Sequence, residues 1–552
     1  MKLNKSQIIW NTIIFIFILG FINLTSALFG EANKVVGVVV ITTALAFIQR
    51  DLTTSPIENL IKLIVLNVLT GVFSSLAVIN PWVGILVNFV SLFFIGYLFS
   101  SNLKSPLIIP IGFQYLFMMY DPVKGKDFVL RIGALIFGAF ATMAIQFVFN
   151  KGKVKKTFIG TLNGVLNDLK ASIEEDKDKK DSAIEKINNM KKVIYESRKH
   201  KFFLTEGGGK FTDILCLLER IILNFDRNKI FEEEKSKEVL TLIDSLLEKI
   251  EKKDFKDLKA DYSKEYKSEI EFCINKLIIE IKELENIEVN KEKYDKKDIP
   301  DAFTGIRILK DNFKMDTLKV SYGLKLAIFL TIVAFIVDIM NISEGRWIIY
   351  TMFSLLQPYL ELTKERAKYR IEGTILGAML VLALFSFIKS PMIRGLIVLG
   401  AGYCNPYAKH YRSLMIIVTT SVLADIGGTG GTLNFALIRL SFVILGAIIV
   451  VVASKYIYPY KLSDGNIEIK NTCDMIANRM NDEIEKDSNK NILRTLYLLI
   501  AFFEEKVSEV NKCPDETKEL KKFFNEKRKV LNNLYTKFYY KESKREDNLF
   551  VD

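Results

Sequence analysis

Apolar residues in this chain are gathered into two blocks, residues 1–150 and 318–460, which alternate with two charged blocks, 151–317 and 461–552. A run of about 20 apolar residues crosses hydrocarbon as a helix, because only a helix or a closed barrel satisfies its own backbone N–H and C=O groups there. The pattern therefore predicts an all-α membrane protein. The first block reads as six segments, 8–29, 35–49, 57–79, 82–99, 106–120 and 128–149, and the second as six more, 324–340, 347–360, 371–388, 392–404, 413–426 and 433–457. Several fall short of an upright crossing. The first, preceded by Lys2 and Lys5, is long enough to be a retained span and not a cleaved leader.

The second block repeats the first. A constant offset of 308 pairs Gly37 with Gly345, Ile41 with Ile349, Thr43 with Thr351 and Gln49 with Gln357. Far downstream it still pairs Arg131 with Arg439, Gly138 with Gly446 and Ala139 with Ala447. A register held over so long a stretch points to duplication. Lys151, Lys153, Lys155 and Lys156 after the sixth segment, and Lys364, Arg366, Lys368 and Arg370 between the eighth and ninth, mark the inner face. With an even number of crossings per half, both termini and the 151–317 block are expected in the cytoplasm of a bacterial cell, and the halves are expected to be parallel repeats.

The net charge of +12 does not indicate nucleic acid, since residues 151–317 hold 36 Lys and Arg against 35 Asp and Glu. Five cysteines without a paired spacing and two histidines predict neither metal nor cofactor. The stretch Glu206 to Lys210, three glycines between its ends, lacks the spacing of a phosphate loop and reads as a turn between helices. With no nucleophile–base pair either, an enzyme is not expected. Stripes such as Val239, Leu242, Ile243, Leu246 and Ile250, or Leu493, Leu496, Tyr497 and Ile500, predict amphipathic helices in the charged blocks.

Charges inside the membrane segments are the sharpest functional signal, because each costs about 2.5–3.5 kcal/mol at the bilayer centre. Arg131 and Arg439, toward the outer ends of the sixth and twelfth segments, either snorkel to headgroups or line an anion path. Lys62 and Lys325 read as snorkellers. Arg366 and Arg370 either orient the segment or gather anions, one turn before Gly373 and Gly377, whose spacing suits close helix packing. Glu372 either pairs with Arg370 or, with Asp338 and Asp425, offers a carboxylate for a coupled proton. Glycines within 427–431 form an outer turn or an anion-binding nest.

Trp347, Thr351, Pro358, Thr363, Arg366, Arg370, Gly373, Thr374 and Gly377, set in a half of six segments before a helical block, resemble the fusaric acid resistance and aromatic acid exporter family. The first half departs from that pattern, with Ile64 and Asn67 at the places of Arg370 and Gly373. The resemblance implies a plasma-membrane exporter of small organic carboxylates, coupled to the proton gradient, whose partners are those anions and the bilayer, alone or as a homo-oligomer. Arg366 and Arg370 would then attract the anion, Thr351 and Gln357 with Thr43 and Gln49 would offer hydrogen bonds, and Arg439 with Arg131 would favour passage at the outer end. A passive anion channel and a membrane scaffold with partner-binding helices are the alternatives.

Overall fold

The computed structural model describes residues 5–48, 50–100, 107–174, 178–197, 204–227, 233–252, 269–284, 313, 317–388, 390–426, 432–457, 459–486, 490–510 and 514–549. It is all-helical among these and divides into two compact units: residues 1–49, 57–145 and 310–465 form one, and residues 50–56, 146–309 and 466–552 the other. In chain order the helices are α1 (Lys5–Phe29), α2 (Lys34–Phe47), α3 (Pro56–Ala77), α4 (Pro81–Phe99), α5 (Ile108–Tyr120), α6 (Lys126–Asn150), α7 (Lys153–Glu174), α8 (Asp178–Glu196), α9 (Glu206–Arg227), α10 (Glu233–Lys252), α11 (Glu269–Glu283), α12 (Leu318–Ile339), α13 (Arg346–Leu355), α14 (Leu360–Phe387), α15 (Pro391–Cys404), α16 (Tyr411–Ile426), α17 (Thr432–Tyr456), α18 (Leu462–Glu485), α19 (Lys490–Val510) and α20 (Pro514–Leu549).

Among the described residues, seven helices are long and apolar enough to cross a bilayer, so this is a multi-pass membrane protein. The membrane unit takes six helices from each apolar block, α1 to α6 and α12 to α17. Starts are set locally: proline opens α3, α4 and α15, and the Asn80 side chain caps α4 by accepting from Val83 N at 2.9 Å. Outward faces stay apolar, as at Ile57, Leu86, Val148 and Phe387, which suits contact with lipid. Inward faces close on small residues. A Cβ on Gly96 of α4 would lie 2.8 Å from the Gly323 Cα of α12, so these backbones cross in direct contact.

Gly373 and Gly377 place α14 against α16 in the same way. Added methyls would meet Arg412 O at 2.9 Å and Ile416 O at 2.9 Å, backbone atoms that cannot swing aside. Gly377→Ala is therefore expected to part the two helices at a cost of about 1–3 kcal/mol, seen as a lowered melting temperature of the purified protein.

Two segment boundaries differ from the sequence expectation. The stretch 347–360 is not one helix: α13 stops at Leu355, because Pro358 cannot continue it and restricts Gln357 before it. The basic stretch around Lys364 to Arg370 is not a loop but the opening turns of α14, built from good helix formers.

In the other unit the 151–317 block and the tail share one core. Phe158, Ile187, Ile214 and Leu218 pack in it with Leu493, Leu498 and Tyr535, and Ile243, Leu246 and Ile250 join them. Val239 has its side chain outside the described residues. Residues 206–210 are no turn, as the sequence had suggested, but the first turn of α9, with Thr205 Oγ1 accepting from Gly208 N at 3.1 Å. The glycines serve packing: Gly209 leaves room for the Arg494 guanidinium, which reaches Asp213 one turn on, Nε to Oδ1 at 2.9 Å.

Asp213 and Glu219 are both completely buried on α9. Glu219 accepts from Lys191 Nζ at 2.7 Å, from Asn532 Nδ2 at 3.2 Å and from Tyr497. Burial works to raise both carboxyls, yet Arg494 and Lys490 hold Asp213, and Lys191 and Arg528 hold Glu219, below the usual carboxylate range. A depressed folded pKa gives stability that is present above the unfolded value of about 4 and is lost as pH falls through the folded one. Helical content of this unit is accordingly expected to drop in acid, followed by circular dichroism.

Candidate anion site in the second membrane half

The site begins where α13 breaks. Leu356 to Tyr359 run unwound and buried between α13 and α14, which at membrane depth requires every carbonyl to find a partner. Tyr322 OH of α12 donates to Leu356 O at 3.1 Å, and Gln357 Nε2 donates to the same oxygen at 2.8 Å. Thr363 Oγ1 accepts from Gln357 N at 3.2 Å and donates to Tyr359 O at 3.1 Å. Arg366, half-buried over the Tyr411 ring, reaches Ser354 O at 3.5 Å.

The arginines paired by the 308 offset have different surroundings. Arg131 is wholly buried and spent on its own half: Nε donates to Asn33 Oδ1 at 3.0 Å, Nη1 to Asp121 O at 2.6 Å and Nη2 to Ala32 O at 3.1 Å. The Asp121 carboxylate stands 3.9 Å away. Arg439 is 3% exposed and stacks at 4.3 Å over the Trp347 ring, yet its Nε and Nη1 have no hydrogen-bond partner among the described residues. Asn341, at the place of Asn33 by the 308 offset, lines a cavity instead.

Other buried polar groups unpartnered among the described residues lie on α13 and α14. Trp347 sits one turn before Thr351 on α13, and Gly446 of α17 packs closely on Thr351, where an added Cβ would lie 3.3 Å from its methyl. Thr351 Oγ1 is buried without a partner among the described residues, as is Thr374 Oγ1, one turn beyond Arg370 on α14. Arg370 is buried, leans on the Met415 sulfur, and its Nε is likewise unpartnered among the described residues. Leaving buried donors unsatisfied costs about 1–3 kcal/mol each, more for charged groups, so a concentration of them marks a place where a ligand would replace the missing acceptor.

A cavity of about 530 Å³ opens between the α3–α4 and α12–α13 turns, lined by Asn80, Tyr120, Asp338, Asn341, Glu344 and Arg346. Glu344 pairs with Arg346 at 3.0 Å and accepts from Trp347 Nε1 at 2.8 Å. The indole thus joins the cavity wall to the guanidinium stacked on its face. Asn341 and Glu344 hold φ angles of 47° and 62° there, a left-handed conformation uncommon for residues other than glycine.

The remaining candidates lie elsewhere. Thr43 donates to Val39 O at 2.7 Å and to Gln114 Oε1 at 3.4 Å, within an amide network in which Gln114 bonds Asn67 and Thr70. The centre of the first half is therefore filled by its own side chains. Glu372 pairs with Arg412 at 3.4 Å and not with Arg370. Gln49, the side chain of Asp425 and residues 427–431 lie outside the described residues.

Lys62 is exposed and paired with Glu58 at 2.7 Å, as a snorkelling lysine would be. Lys325 is no snorkeller: it is fully buried, and its Nζ has no partner among the described residues. The available signal was Tyr322 one turn earlier, a polar tip on the same helix face.

The apolar helices define a multi-pass membrane bundle whose second half holds buried cationic side chains with donor groups unpartnered among the described residues. Residues 331–453 match the family model described as fusaric acid resistance protein-like, so this half is similar to that family. An uncharacterized protein of Synechocystis sp. (strain ATCC 27184 / PCC 6803 / Kazusa) is 26% identical over 118 residues, 21% of this chain and 16% of that protein. The chain thus covers about a sixth of that relative's length. No solved structure matches.

Proposed function

We propose that the protein is a secondary transporter, not an enzyme, that moves small organic carboxylates outward across a bacterial plasma membrane. The observation that carries this reading is the contrast between Arg131, saturated by its own half, and Arg439, buried with two donor groups unpaired over Trp347. A planar guanidinium beside an aromatic face suits a carboxylate on a flat apolar body. Arg366 and Arg370 would draw the anion in, Thr351 and Gln357 would offer hydrogen bonds at the broken helix, and Arg439 would hold it before release. The path belongs mainly to the second half, since Thr43 and Arg131 are occupied in the first.

A passive channel is the second reading. Glu372 is paired with Arg412 and Asp338 opens on the cavity, so neither places a carboxylate beside the arginines. Proteoliposomes loaded with a panel of small carboxylates test both readings. Release faster than from protein-free vesicles is expected; acceleration by an imposed pH gradient at fixed potential separates the coupled transporter from the channel. No acceleration of any carboxylate would contradict both.

A further inference from the structure

Lys325 is a buried titratable group that the path as described does not use. Its side chain has no exposed surface, and its amine has no hydrogen-bond partner among the described residues. Tyr322, one turn before it, holds Leu356 O, so this face of α12 adjoins the unwound stretch between α13 and α14. Every element packed on α12 bears on its charge. The helix itself carries Lys319, Tyr322 and Asp338; α4 carries Tyr97; α13 carries Arg346 and Tyr350; α17 carries Arg439, Lys455 and Tyr456. Glu361, at the start of α14, is the carboxylate whose charge reaches Lys325, but it is exposed and accepts from Leu462 N at 3.2 Å. The amine is dry, with no hydrogen-bond partner among the described residues.

An arginine in such a place would remain charged at any accessible pH, whereas a lysine amine exists in two forms and is a cation only while it carries the extra proton. We propose that Lys325 is the titratable anion-binding group of the path: as an ammonium it holds the carboxylate near the broken helix, and as a neutral amine it does not. Proton and anion then bind together at this point, and flux is gated by pH without any carboxylate of the protein taking part. This rests on the organic-anion reading above and adds to it the residue that senses the proton.

The test uses the full chain in vesicles, with benzoate as the probe, equal pH on both sides, a clamped potential and protein-free vesicles as background. Wild-type flux is expected to fall several-fold from neutral to mildly alkaline pH. Lys325→Arg is expected to keep substantial flux with that pH slope abolished, and Lys325→Met to be slow throughout. A Lys325→Arg protein with the wild-type slope, or a Lys325→Met protein with wild-type flux, would overturn the proposal while leaving the anion reading intact. If the methionine variant does not fold, the arginine variant decides alone. Wild-type protein that passes neither benzoate nor any other carboxylate of the panel at any pH would overturn the reading and this inference together.

Discussion

Arg439→Gln is expected to cut carboxylate flux by about one to two orders of magnitude while the protein stays folded. One hydrogen bond to a charged group contributes about 1.5–3 kcal/mol, which is the one to two orders expected for losing one such bond to the ligand, and Arg439 has buried donor groups with no partner among the described residues. Arg131→Gln is expected to do the reverse. It would strand Asn33 Oδ1, Asp121 O and Ala32 O, which fasten the ends of α1 and α5 to α6, so thermal stability should fall and flux only in proportion to folded protein. Flux and melting temperature measured on both variants check the pair. Equal loss of flux at equal stability would mean that the two repeats contribute alike.

The second large effect lies in the other unit. Glu219→Ala is expected to destabilise it by about 3–5 kcal/mol, because Lys191 would remain buried without its carboxylate and Arg528 would keep, among the described residues, only the Glu504 carboxylate. For a unit of this size that corresponds to a fall of roughly 10 °C in its melting transition. Hydrogen exchange is the suitable readout, since α9 should lose protection together with α19 and α20, whose Tyr497 and Asn532 also bond Glu219. Glu219→Gln, which keeps the shape and, with its carbonyl oxygen at the Oε2 place, the three acceptor contacts made there, should lose less. An unchanged exchange pattern in the alanine variant would show that the buried charges add little to the union of tail and middle block.

Much of this molecule was legible in its hydrophobic pattern, since apolar runs and amphipathic stripes report the two environments a helix face must meet. Helix ends were less so. Pro358 marked a break, yet continuous hydrophobicity from Trp347 to Leu360 hid it, because the unwound residues are as buried as the helix before them. Arg131 and Arg439 stand out in the sequence as a pair at one offset, but their different surroundings depend on Asn33 and Trp347, which lie far off in the chain and meet them only through tertiary packing. Lys325 was misread for a related reason: its distance from the helix start suggested snorkelling, while burial is decided by which face α12 turns inward. The glycines of 206–210 were read as a turn because glycine is rare inside helices; only the Arg494 side chain lying on Gly209 explains them.

The most direct measurement is an anomalous-scattering map of the protein crystallised with an iodinated benzoate at a concentration that saturates flux. An anion site at Arg439 predicts an iodine peak in the seam of α13 and α17, with the carboxylate within hydrogen-bond distance of the Arg439 guanidinium and the ring against Trp347. Iodine found only elsewhere, with Arg439 bonded to protein groups throughout, would contradict it.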